Sequence, residues 1–213
     1  MSVEAGQPVA KVFTIVPDVN VLVSAQNAAR AGRMATVSQR ILEHLTSGHA
    51  NGVPVQMAVS FKMIDTFRLV LRRNGFDLQA VDAVARALMS IMRCGPRQLD
   101  PYVVFGGTPH PSLRDIEDGD VLATAFAARA DLLITNNLTD FVTADCEALN
   151  TSVARMPDGT RRQLSCQIHR RPDGQTLMIA HPVDVVHWTD RRFDISPRSL
   201  RATFGEGGLS PSQ

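Results

Sequence analysis

The chain has 213 residues, 44% of them hydrophobic, and a formal net charge of +1, which suits one substantial core with an embellishment. No apolar run approaches the ~18 residues of a membrane span, and the opening MSVEAGQPVAKVF lacks the basic stretch and long apolar core of a secretory signal, so a cytoplasmic location is expected. Cys94, Cys146 and Cys166 are odd in number and widely spaced, which excludes a CxxC metal pair and an even disulfide framework; buried free thiols are expected.

After a flexible stretch at 1–10, a single domain is expected over 11–204. Val12–Val16 is short, β-branched and closed by Pro17, as in a buried strand, so Asp18 falls at its C-terminal end. Val37–Leu45 is amphipathic at helical spacing and stopped by Gly48, and Val53–Val59 is a second apolar strand. Ser60 is placed to cap a helix that carries Met63, Ile64, Phe67, Val70 and Leu71 and ends at Asn74-Gly75. Val81, Val84, Leu88 and Ile91 mark a further helix before Gly95-Pro96. Tyr102–Phe105 is a third candidate strand, Glu117–Ala130 an Ala-rich helix and Leu132–Thr135 a fourth strand. This alternation predicts an α/β architecture, a parallel sheet between helical layers, with ligands at the strand C-termini. Beyond Asp145, Gln163–His169 and Gln175–Ala180 flank an Arg-Pro-Asp-Gly turn, which predicts a β-hairpin appended over about 152–181. Val183–Trp188 is a short helix or strand, and 205–213 reads as a disordered tail.

Acidic residues recur where strand ends should meet: Asp18, Asp65, and the Asp115–Asp120 run containing Glu117 and Asp118. Clustered carboxylates repel, and a fold tolerates them mainly when a hard divalent cation neutralises them. Magnesium takes one or two carboxylates and leaves room for a phosphate oxygen and water, so phosphodiester hydrolysis fits the pattern. Charge is uneven along the chain. Residues 1–152 carry 13 Lys/Arg against 15 Asp/Glu, whereas residues 153–201 carry nine Arg against five Asp and could supply phosphate contacts. A solvated surface explains those arginines equally well.

Four segments resemble the PIN-domain family. Val16-Pro-Asp18-Val-Asn20-Val-Leu-Val-Ser24 is similar to its opening strand and first aspartate, and Ser60-Phe-Lys-Met-Ile-Asp65 to the helix supplying a second acid, with Asp in place of the usual Glu. Asp115–Ala125 followed by Ala130–Thr135 resembles the third-acid helix and final strand, and Asn136-Asn137-Leu-Thr-Asp140-Phe141 the closing motif, where many members carry Asp at the Asn137 position. The resemblance spans about residues 11–145. It implies a three-layer α/β/α fold with a central parallel sheet, to which the C-terminal β-hairpin is an insertion without counterpart. It also implies an endoribonuclease dependent on Mg2+ or Mn2+, with RNA as substrate, acting as a toxin with an antitoxin partner and pairing as a homodimer through the helices around Phe67 and Leu88.

On that resemblance Asp18, Asp65 and Asp118 are the catalytic metal ligands. Asp120 is the alternative third acid, and Asp140 or Asn137 is a further ligand. Asn20, Ser24 and Thr135 are candidates for orienting the carboxylates, although each suits a local turn or cap equally well. Two other functions compete. A phosphatase of the haloacid-dehalogenase kind also starts from a strand-end aspartate but needs a second one where Asn20 stands. A catalytically weak PIN domain that binds RNA or protein is suggested by Asn137 and by the short side chain of Asp65.

Overall fold

A computed structural model describes residues 11–50, 52–100, 116–143, 146–156, 158–170 and 174–205, with the side chains of 116–118 excepted. The expected strand Tyr102–Phe105, the acid Asp115, and the side chains of Glu117 and Asp118 lie outside the described residues. Elements run in the order β1 (Phe13–Pro17), α1 (Val19–Arg30), α2 (Val37–Ser47), β2 (His49–Ala50), β3 (Val53–Met57), α3 (Phe61–Arg73), α4 (Leu78–Cys94) and α5 (Ile116–Ala127). Then come β4 (Leu132–Ile134), a 3₁₀ turn (Leu138–Phe141), β5 (Cys146–Arg155), β6 (Arg161–Arg170), β7 (Thr176–Ala180), α6 (Pro182–Asp190) and α7 (Pro197–Phe204).

One seven-stranded sheet has the order β2-β3-β1-β4-β7-β6-β5. Its centre, β3-β1-β4-β7, is parallel, and β2, β6 and β5 pair antiparallel at the flanks. The central strands are buried on both faces, which is why they read as unbroken apolar runs rather than alternating ones. Helices cover the faces, so the expected α/β layering is observed. Ser60 caps α3 as anticipated, its hydroxyl accepting from the Met63 amide at 3.3 Å.

Several expectations need correction. Val19–Arg30 is a helix, although its β-branched run gave no helical signal. The hairpin exists as β6–β7, but β7 is no appendage: TLMIA is apolar throughout and pairs parallel with β4 at the heart of the sheet. A further strand, β5, pairs with β6 and begins before the expected boundary at 152. Phe67 and Leu88 form no exposed dimer patch, because α3 packs on α4 and both side chains are almost fully buried between these layers. Of the three free thiols only Cys166 is buried; Cys146 is half-buried and Cys94 exposed. At the far end α6 and α7 close over Trp188, Phe193 and Phe204, and Arg201 forms a fork on the Glu147 carboxylate of β5.

Candidate active site

Asp18 directly succeeds β1, and its amide donates to the Ile134 carbonyl of β4 at 2.9 Å. Register places Pro17 beside Ile134 and Ile134 beside Ala180, so β1, β4 and β7 end together and Asp18, Thr135 and His181 stand in a row along one edge. Asp18 sits at the N-cap position of α1. Its carboxyl accepts from the Thr135 hydroxyl at 2.7 Å and from the Asn20 side-chain Nδ2 at 2.5 Å. Asn20 Oδ1 in turn accepts the Asn136 amide at 3.1 Å, and Asn136 Nδ2 reaches Ser24 Oγ at 3.3 Å. Asn20, Ser24 and Thr135 are therefore joined in one network around the carboxyl. Asn20 is its hub, and Asn136, which the sequence did not single out, links Asn20 to Ser24.

Only 4% of Asp18 is exposed. Burial raises its pKa above the usual carboxylate value; the Thr135 hydroxyl and the backbone N–H groups of Asn20 and Val19 oppose that rise, and the charge of Asp140 adds to it. The carboxyl faces a cleft of about 310 Å³ whose wall includes Asp120, Lys62, Thr66, Asn20 and Ser24. Asp120 comes from α5, and the Lys62 ammonium of α3 lies in ionic contact with its Oδ2. A second cleft, of about 340 Å³, lies under α2 and α6; its walls are mostly apolar, among them Ile15, Leu132, Ile134 and Phe193, although His44, Arg192 and Asp194 also line it, and it has no carboxylate at a strand end.

Asp65 departs from expectation. Its side chain is 58% exposed and lies 3.5 Å from Arg68, outside the cleft. One residue along a helix is a rotation of about 100°, and it is Thr66, together with Lys62, that α3 turns towards Asp18. The burial of Met63, Ile64, Phe67 and Leu71 shows where the core face lies. Helical spacing could have set Asp65 apart from that face, but which flank meets α5 is a tertiary fact. Asn137 and Asp140 stand beside the cleft rather than in its wall: the Asn137 side-chain amide donates to Asp140, and its oxygen accepts the Thr139 hydroxyl at 2.9 Å. Asn137 is tied to the site through its backbone amide, which donates to Thr135 Oγ1 at 3.0 Å. Among the described residues no three His, Cys, Asp or Glu side chains are grouped as a metal cage. Of the expected acids whose side chains are described, Asp18 and Asp120 line the cleft together, and Asp140 stands near enough for its charge to act on Asp18.

A parallel sheet whose strand ends present a buried aspartate to a polar cleft defines an α/β protein with its site at the carboxyl edge. The family model for the PIN domain matches residues 14–139. The chain belongs to the PIN-domain family, and so carries a nuclease-type fold. No curated protein and no solved structure matches it significantly. Among the described residues no helix is long and apolar enough to cross a membrane.

Proposed function

We infer that the protein is an endoribonuclease dependent on Mg2+ or Mn2+, with Asp18 and Asp120 as the carboxylates that would hold the cation. The observation that carries this reading is the buried, desolvated Asp18 carboxyl facing Asp120 across a polar cleft at the strand ends. Magnesium commonly uses only one or two protein carboxylates and fills its remaining positions with water and substrate phosphate, so this pair meets the minimum. When bound, the cation supplies positive charge for phosphate oxygens and makes water a better nucleophile. The chain's own groups do the positioning. Thr135 and Asn20 fix the rotamer of Asp18, Asn136 braces Asn20 and is itself held by Ser24, and Lys62 places a largely exposed ammonium beside Asp120, where a phosphate can meet it. RNA as the substrate, a toxin role with an antitoxin partner, a homodimer and a cytoplasmic setting are proposed with it on the family resemblance.

The test is incubation of the purified protein with a mixed RNA pool in Mg2+ or Mn2+. Fragmentation is expected, abolished by chelator and reduced by about 10²–10³-fold in Asp18→Asn. Cleavage that persists in chelator, or that runs at the unsubstituted rate in Asp18→Asn, overturns the reading.

A second reading, a PIN domain that binds RNA without cutting it, is favoured by one observation. Lys62 neutralises Asp120 while Asp65 points away, which leaves the cleft poorer in negative charge than the resemblance implies. Retention of RNA in chelator, with no detectable Mn2+ binding, would select it.

A further inference from the structure

The β5–β6 hairpin extends well past the edge on which Asp18 lies. Gln167 of β6 is level with Ile179 of β7, and β6 runs opposite to β7, so residues before Gln167 lead beyond the strand ends. Arg161 is six residues further on, a reach of roughly 20 Å at the rise of an antiparallel strand. At that tip Arg155 and Arg161 face each other as a cross-strand pair, and Ala154 faces Arg162. Arg155 and Arg161 are exposed, and like charges directly opposite disfavour the pairing. Among the described residues none of Arg155, Arg161 and Arg162 makes an ion pair. The nearby Asp158 is engaged instead by the Thr160 amide and hydroxyl. Arg162 lies on the other face of the ribbon, close enough to His181 to lower its pKa. His181 comes directly after β7 on the same edge as Thr135 and Asp18, so the arginines belong to the site's side of the molecule.

The arm is also anchored. Between Asn150 and Val153 the register slips, which is a β-bulge, and a bulge bends its strand and re-aims the residues beyond it. Both bulge hydroxyls bond one carboxyl: Thr151 Oγ1 to Asp184 Oδ2 at 2.7 Å and Ser152 Oγ to Asp184 Oδ1 at 2.5 Å. Asp184, in the first turn of α6, is fully buried. A fully buried carboxyl is a costly way to fix a surface hairpin unless its direction matters.

We propose that this arm, through Arg155 and Arg161, holds the phosphate backbone of the single-stranded RNA whose scissile bond enters the Asp18 cleft; the assignment rests on reading that cleft as a phosphodiesterase site. Guanidinium groups suit phosphate because their planar donors pair with two oxygens at once. An occupant touching both arm and cleft must be extended and carry charge along its length. A polynucleotide backbone does, and an acidic peptide is the alternative that the test separates.

The experiment measures binding of a labelled single-stranded RNA to the full chain in chelator, so that cleavage does not interfere, across a salt series. Arg155→Gln/Arg161→Gln is expected to weaken binding at least about 10-fold and to reduce the salt slope by about 1.4, the value for two lost single-strand phosphate contacts. Arg198→Gln, which removes one exposed charge on α7 outside the arm, should change binding by less than about 3-fold, with thermal melts checking the fold of each variant. Unchanged RNA binding in the double variant overturns the proposal, as does an equal loss in Arg198→Gln. Competition by polyglutamate as strong as by unlabelled RNA overturns it in favour of an acidic protein partner. Arm-dependent binding without metal-dependent cleavage would sink the nuclease reading alone, and cleavage without arm-dependent binding would sink this one alone.

Discussion

Asp18 and Asp184 are both nearly sealed from solvent, both accept two side-chain hydrogen bonds from neutral donors, and both have pKa values raised chiefly by desolvation. Their surroundings separate them. Asp18 lies where parallel strands end, and its carboxyl opens on a cleft shared with Asp120 of α5 and Lys62 of α3. Asp184 lies against a bulge in an antiparallel ribbon, and the Thr151 and Ser152 hydroxyls close it off. Burial and a raised pKa alone therefore do not distinguish a reactive carboxyl from a structural peg. The presence of space and a second charge beyond it does.

Substituting each in turn should break the symmetry in opposite directions. Asp18→Asn is expected to reduce cleavage by about 10²–10³-fold, because it removes the charge that would hold the cation. The metal-free fold should be unchanged or firmer by about 1 kcal/mol, since a desolvated charge is gone and the amide oxygen can still accept from Thr135. Gel assays and thermal melts read the two effects. Asp184→Ala should do the reverse, losing about 3 kcal/mol of stability as two hydroxyls lose their acceptor and a cavity opens. Its midpoint in urea reports this, and an unchanged midpoint would show that the hairpin is not pegged there.

Acid should sharpen the contrast further. His181 caps α6 by accepting the Val183 amide at Nδ1 (3.2 Å), which requires a neutral ring. Burial, reinforced by Arg162, lowers its pKa to about 4. A folded pKa depressed below 6.5 gives stability that is complete above pH 6.5 and drains away as pH falls towards about 4. The loss should approach roughly 3 kcal/mol. Asp184, three residues on, works the other way: its raised pKa makes protonation favour the fold, so its contribution grows as pH falls through that value and is complete below 3.8. His181→Asn, which can cap but not titrate, should flatten the melting temperature through the histidine window. A slope identical to that of the unsubstituted protein would remove His181 from the account.

The sequence announced what local pattern controls and hid what tertiary placement controls. β1, β3, β4 and the helices α2 to α5 were legible because apolar periodicity and punctuation such as Gly48, Asn74-Gly75 and Gly95-Pro96 agree with the final structure. Asp18 was legible because strand ends are where parallel sheets place sites. α1 was not, since Val19–Val23 carries a strand-like composition and becomes helical in packing on α2 and α3. β5 was hidden by its own bulge, which breaks the alternation that marks a half-exposed strand. Asp65 was misjudged because composition says that an acid is present but not which flank of α3 carries it. Lys62 carried no signal at all, for its meaning depends on where α5 puts Asp120.

The smallest expected effect concerns that lysine. In the cleft, unlike the peg at Asp184, one carboxylate is neutralised by a side-chain cation that a metal ion would have to displace or tolerate. Lys62→Met removes the cation and leaves Asp18 and Asp120 with no nearby positive partner among the described residues lining the cleft. Two under-neutralised carboxylates attract a divalent ion more strongly, so Mn2+ affinity should rise about 10-fold, as read by the loss of free Mn2+ signal in an electron-spin-resonance titration. Lys62→Arg keeps the charge and should bind Mn2+ like the unsubstituted protein. A rise in both variants would mean that shape rather than charge limits entry. A rise in neither would mean that Asp18 and Asp120 do not share an ion, and the cleft would then hold nucleic acid through Lys62 and the hairpin arginines without cutting it.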